Sequence, residues 1–157
     1  MNKNMSRKAG SRFAGKTLAD NRRARFDYEI KDTFVAGLVL RGAEVKSAKA
    51  GNVSLTGSYV TVSPFKAQLI NCHIGPYKYA PSEKYNPTQT RNLLLKKAEI
   101  NSLLGKEKGL TIIPLEIVLA NRGLLKLRIG LGKARKKTDK REYIQKRDSQ
   151  KEMREAV

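Results

Sequence analysis

The chain carries a single cysteine, Cys72, so no disulfide can close within it, and a lone thiol suits a reducing compartment such as the cytoplasm. Its single histidine, His73, is the next residue. Adjacent residues on a strand point to opposite faces, so these two cannot form a nucleophile–base pair. No second Cys or His exists to complete a metal site. The expectation is a packed thiol beside a polar rim imidazole. No apolar run approaches the ~20 residues of a spanning helix, and no h-region of a secretory signal is present. Neither GxxxxGK[ST] nor a strand-fed GxGxxG occurs. Acid is also scarce, with 14 Asp and Glu against 33 Lys and Arg. Most of these acids stand beside a base, so a paired-carboxylate site has no support. No metal, cofactor or catalytic group is expected.

What the chain has in excess is positive charge. The formal net charge is +19 and the pI is about 10.3, which points to a polyanionic partner, with a membrane surface the weaker alternative. The charge is uneven. Residues 1–25 hold 8 Lys/Arg against 1 acid, residues 26–131 hold 15 against 8, and residues 132–157 hold 10 against 5. Residues 1–20 read as a disordered basic arm, although a transit peptide has a similar composition. Residues 132–157 alternate Lys and Arg with acids at helical spacing but offer almost nothing apolar. They read as a basic tail that is disordered when free.

The middle, residues 21–131, reads as one domain. "RFDYEI" alternates Phe26, Tyr28 and Ile30 as a half-buried strand does, with "TFVAGLVL" a second run. "SYVTVSPFKAQLINCHI" reads as two strands about a turn at 63–66. "LTIIPLEIVLANRGLLKLRIGL" reads as a hairpin turning at Asn121-Arg122-Gly123. Leu125, Leu127, Ile129 and Leu131 share one face of its second strand, with Lys126 and Arg128 on the other. Pro114 places its strand at an edge or on a bulge. Short helices are expected over 41–51 and 96–109, the latter stopped by Gly105. "RNLLL" is too short to decide. The fold class is therefore mainly β: a small, closed, antiparallel OB-like barrel with two or three short helices and a disordered basic C-terminal tail.

Long basic side chains neutralise phosphates, and aromatic rings beside guanidinium groups suit unstacked bases. "NRRARFDY" combines both in Arg22, Arg23, Arg25, Phe26 and Tyr28; the alternative is that the two aromatics are core residues. Lys126 and Arg128 are either an RNA face or a solvated strand face. Glu44, among Arg41, Lys46 and Lys49, either pairs on the surface, holds a basic side chain in place for RNA, or accepts from a base or a 2′-OH.

Six blocks, "NRRARFDYEI", "GAEVKSAKAGNVSLTGSY", "NCHIGPY", "NPTQTRNLLL", "GLTIIPLEIV" and "DKREYIQKRD", occur in the order and near the spacing of one bacterial family. From about Asn21 to Asp148 the chain resembles SmpB, the SsrA-binding, tmRNA-binding proteins of trans-translation. The resemblance implies a non-catalytic, monomeric, cytoplasmic protein that binds the tRNA-like domain of tmRNA in place of an anticodon arm. It implies delivery of alanyl-tmRNA to stalled ribosomes, with the tail turning helical in the empty mRNA channel at the small-subunit decoding centre. Carried over by position, the RNA face comprises Asn21, Arg22, Arg23, Arg25, Phe26, Tyr28, Glu44, Lys46, Ser47, Lys49, Thr90, Arg91, Lys96, Lys126 and Arg128. The ribosome-binding tail comprises Arg135, Lys136, Lys137, Asp139, Lys140 and Arg141. Departures from the family pattern are Phe26 for His, Val35 for an acid, Gln89 and Asn92 for basic residues, Ala134 for Gly, and Thr138 for His or Tyr. The same charge and fold would also serve a structural rRNA-binding protein. An RNA-processing enzyme is the rival from another class, and it lacks a His/Asp or metal-ligand cluster.

Overall fold

A seven-stranded antiparallel sheet organises the chain, and the long hairpin expected at 110–131 supplies two of its adjacent strands. The computed structural model describes residues 15–79 and 84–155, so most of the expected N-terminal arm, residues 1–14, lies outside the described residues. In chain order the elements are β1 (Lys16–Asp20), α1 (Arg22–Asp27), β2 (Tyr28–Leu38), α2 (Gly42–Lys49), β3 (Val53–Ser54) and β4 (Tyr59–Ser63). Then come β5 (Lys66–Ile70), β6 (His73–Ile74), β7 (Arg91–Leu94), α3 (Lys97–Leu104), β8 (Leu110–Leu119), β9 (Leu125–Ala134) and α4 (Lys137–Glu155). Sheet order is β1-β8-β9-β2-β7-β5-β4, and β3 pairs with β6 separately.

The β8–β9 hairpin turns where expected, with Arg122 and Gly123 both at positive φ, 64° and 73°. In β9, Leu125, Leu127, Ile129 and Leu131 are buried while Lys126 and Arg128 are half-exposed. In β8, every residue from Ile113 to Val118 is buried, which simple alternation cannot give. Pro114 is the cause. The register slips between Pro114 and Glu116, and a one-residue slip swaps the faces. Ile113 and Leu115 therefore pack into a small cluster with Ala24, Tyr28 and Ile30, while Ile117 enters the main core with Leu69, Leu127 and Ile129. Two glycines make room for the small cluster: a Cβ on Gly130 would meet Leu115 at 2.9 Å, and one on Gly132 would meet Ile113 at 2.8 Å.

Three expectations need correction. The sheet is not a closed barrel: β4 curls to within 8 Å of β8 between Cα atoms, yet β1 and β4 remain its two edges with no ladder between them. Residues 16–20, assigned by charge to the arm, form β1 and pair with β8. Residues 25–27, read as the start of a strand over 25–30, instead end the helix Arg22–Asp27, and the strand begins at Tyr28. Asn21 decides this: its Oδ1 accepts from Ala24 N–H at 3.2 Å as an N-cap, while its Nδ2 donates to the Pro114 carbonyl at 2.9 Å. Phe26 and Tyr28 thus do not share a strand face. In the tail, residues 132–134 complete β9 and residues 137–155 are helical.

A buried charge pair joins α2 to β7. Glu44 and Arg91 are each 3% exposed, and Arg91 Nε donates to Glu44 Oε2 at 2.8 Å. The rest of the guanidinium donates to the carbonyls of Cys72 and Pro87 and to the Tyr85 hydroxyl, which itself donates to the Ile74 carbonyl. Glu44 also accepts from Arg41 N–H at 3.1 Å and Gln89 Nε2 at 3.0 Å. Beside it the buried Ser47 hydroxyl donates to the Gly75 carbonyl at 2.6 Å. Every strong donor and acceptor here has a partner, the condition under which such a pair is tolerated.

Burial alone raises the Glu44 carboxyl, but the Arg41 N–H, Arg91 and Gln89 outweigh it and hold the group below its ordinary 4.5. A carboxyl depressed on folding contributes stability that is complete above its unfolded value and lost as pH falls through the folded value. Urea midpoints of the native chain are therefore expected to fall below about pH 4.5 more steeply than those of Glu44→Gln. Arg91→Leu leaves a buried carboxylate unpaired and is expected to cost ~3–5 kcal/mol at neutral pH. Combining it with Glu44→Gln is expected to restore part of that loss in the same urea titration.

Candidate nucleic-acid interface

Around α1 the cations gather against fixed acids. Asn21 holds the helix start, and its backbone N–H donates to the Leu115 carbonyl at 2.8 Å. One turn later Arg25 lies 3.5 Å from Asp20 and 3.7 Å from Glu116. Arg128, from β9, meets the other Glu116 oxygen at 2.8 Å. Glu116 thus ties a helical arginine to a strand arginine and keeps both side chains facing outward. Arg22 and Arg23 are exposed beside them. A groove of about 370 Å³ runs past Arg25, Arg128, Arg135 and Tyr143. Three guanidinium groups on one groove make a surface for phosphates, since each presents a planar fork of donors.

The root of α4 closes onto α1. Arg135 N–H donates to the Asp27 carbonyl at 2.8 Å, and Lys140 Nζ sits 3.2 Å from the Asp27 carboxylate. Asp27 also accepts from Arg23 Nε at 3.1 Å. Burial pushes the Asp27 carboxyl up, but Lys140 and Arg23 outweigh that and hold it below the usual carboxylate range. Phe26 and Tyr143 meet edge to face at 6.5 Å between centroids. The Arg135 guanidinium lies 4.4 Å from the Tyr143 ring centre, and Arg23 and Lys140 lie 5.8 and 5.5 Å from that of Phe26. Cations over ring faces are favourable contacts. Phe26, half-buried, is therefore neither a core residue nor a bare stacking platform. Tyr28 packs against the small cluster of Ala24, Ile113 and Leu115.

A second basic region surrounds α2. Lys46 and Lys49 are exposed, with Lys46 Nζ 5.6 Å from the centre of the Tyr77 ring. Thr90 and Lys96 are exposed, and Lys126 is half-exposed on β9 opposite Gly37. Three residues assigned to the RNA face are not surface groups. Glu44, Ser47 and Arg91 lie inside, in the hydrogen-bonded network that fastens α2 to the 72–91 segment. The network anchors α2, the helix that carries Lys46 and Lys49.

In the tail, Lys136, Lys137, Asp139 and Arg141 are exposed, while Arg135 and Lys140 are half-buried against α1. Asp139 accepts from Lys136 N–H at 3.3 Å and so caps the helix start. Asp27, Glu116 and Tyr143 were not singled out from the sequence. The signals available were Asp27 four residues after Arg23 and Tyr143 as the only aromatic residue of the tail. Away from these regions, Cys72 is buried and His73 exposed, on opposite sides as expected. Burial pushes the Cys72 thiol up to about 11, leaving it neutral.

The profile of the family described as SmpB protein matches residues 18–157. An SsrA-binding protein of Halalkalibacterium halodurans is 45% identical over 145 residues, covering 91% of this chain and 94% of the relative. One from Coprothermobacter proteolyticus is 49% identical over 142 residues, covering 88% and 95%. A solved chain from "tmRNA-SmpB: a journey to the center of the bacterial ribosome" superposes with a TM-score of 0.62 at 41% identity, covering 80% of this chain and 92% of that one. With the outward-facing arginines of α1 and β9 and a match that spans fold and tail alike, this chain belongs to the SmpB family.

Proposed function

We propose that this protein binds the tRNA-like domain of tmRNA and carries alanyl-tmRNA to ribosomes stalled on a message without a stop codon. The observation that carries the reading is the match to SsrA-binding proteins at 45% and 49% identity across nearly the whole chain. The geometry supports it. Arg22, Arg25 and Arg128 are positioned by Asp20 and Glu116, and Arg23 beside them by Asp27. Lys46 and Lys49 project from a helix fixed by the Glu44–Arg91 pair. Such side chains track phosphates and set orientation, while the shape of the folded RNA supplies selectivity.

The tail has a separate task. Helix α4 spans 19 residues, about 28 Å at 1.5 Å per residue, and beyond Ile144 its described side chains up to Gln150 are exposed. A helix polar all round finds its partner outside its own protein. We infer that Arg135, Lys136, Lys137, Asp139, Lys140 and Arg141 lead it into the vacant mRNA channel of the small subunit. Its role there is to report that no message is present. The protein acts as a non-catalytic adaptor, a monomer in the cytoplasm, where stalled ribosomes are.

Two measurements test this. A fluorescent fragment containing the acceptor and D-arm of tmRNA is expected to bind tightly, with affinity falling steeply as salt rises. An unrelated hairpin of equal length is expected to bind at least ~10-fold more weakly, because phosphate contacts alone do not discriminate. Deleting residues 135–157, a cut that spares β9, is expected to leave fragment affinity within about threefold, the loss of a few rim cations. The same deletion is expected to abolish peptide tagging in a reconstituted stalled-ribosome assay.

A further inference from the structure

The root of the tail is held by contacts that its task on the ribosome must give up. Arg135 and Lys140 lead toward the mRNA channel in the functional reading, yet both are half-buried against α1. Lys140 Nζ lies 3.2 Å from one oxygen of Asp27, whose other oxygen accepts from Arg23 Nε at 3.1 Å. Tyr143 completes the seat, its ring meeting Phe26 edge to face and carrying the Arg135 guanidinium 4.4 Å from its centre. These are ion pairs and ring contacts near the surface, each of the weak class. Two features oppose them. Residues 132–157 hold 10 Lys/Arg against 5 acids and lie on a fold that is itself basic, with Asp27 the acid between. Arg135 Nε–H is buried with no hydrogen-bond partner among the described residues, a cost that release into water removes.

We propose that the first turns of α4 form a latch on α1, closed in the free protein and opened by RNA phosphates. An RNA phosphodiester carries the same charge as the Asp27 carboxylate, and many arrive together on one chain. Phosphates reaching α1 therefore take Arg23 and Lys140 from Asp27. The root then swings about the Arg135 backbone, which follows β9 directly and stays on the Asp27 carbonyl. The proposal rests on the RNA-binding reading and adds to it the regulation of the tail: cations meant for the ribosome stay on the protein until RNA occupies α1. A ligand shifts such an equilibrium only by favouring one state, and here RNA favours the open one. A permanent seat would be packed as the core is, where Leu127 and Ile129 are wholly buried. Tyr143 is only half-buried.

Quench-flow hydrogen exchange on the full chain, read by mass spectrometry at the peptide covering 137–145, tests the latch. Tyr143→Ala, which removes a ring without changing charge, and Asp27→Asn are each expected to speed exchange there about fivefold. A saturating tmRNA acceptor/D-arm fragment is expected to do the same to the native chain, with no such rise in β9. Linkage is reciprocal, so Tyr143→Ala is also expected to bind the fragment about fivefold more tightly. Deleting the whole tail removes its cations as well, which offsets that gain. The urea midpoint of Tyr143→Ala is expected to equal that of the native chain; a lower one would make the root part of the fold and overturn the latch. Exchange unchanged in either variant, exchange unchanged or slowed by the fragment, or fragment binding no tighter in Tyr143→Ala would each overturn it too. Failure of the native chain to retain the fragment overturns the functional reading instead, and exchange in the two variants alone then decides whether the latch exists.

Discussion

The placement of a few acids governs what this surface can do. With 33 basic residues against 14 acidic ones, the chain would repel itself if charge were left unmanaged. The fold sets particular carboxylates at fixed points. Glu116, on β8, aligns Arg25 with Arg128. Asp27, at the end of α1, gathers Arg23 and Lys140. Glu44 neutralises Arg91, which is buried. Each of these pairs positions cations rather than cancelling the excess, so a large positive surplus remains outside a core built from apolar side chains. Surface pairs of this kind add little stability in water. Their effect lies in geometry, because a preset array of guanidinium groups loses less side-chain freedom on meeting phosphates.

Much of the sheet was legible because its residues carry local signals. The alternation of Leu125, Leu127, Ile129 and Leu131 fixed β9, and Asn121-Arg122-Gly123 marked its turn. Pro114 announced a bulge, and the bulge explains why β8 reads as one continuous apolar run. Non-local decisions were not legible. Phe26, Tyr28 and Ile30 keep strand spacing, yet Asn21 reaches Pro114 and Leu115, over 90 positions away, and starts a helix instead. Glu44 and Arg91 are 47 positions apart, so their burial could not be inferred from either segment. Closure of a barrel depends on whether two edge strands meet, and neither strand's own sequence encodes that.

The root of the tail shows how the two working parts are joined. A segment without an apolar face gives no reason from composition alone to fold. Here Tyr143 and Lys140 give its first turns something to rest on, and the surface they use is Phe26 and Asp27 of α1. Phe26 stands where the family usually has a histidine. It cannot donate a hydrogen bond, but its ring accepts two cations and an aromatic edge. The root of the tail is thereby seated on α1.

The most direct test of the central claim, that this cationic fold is shaped for one structured RNA, is to sequence the RNA that remains on the protein when it is purified from its own cells through a high-salt wash. The expected result is tmRNA enriched far above its cellular share. Recovery of ribosomal and transfer RNA in proportion to their abundance, with no enrichment of tmRNA, would contradict it.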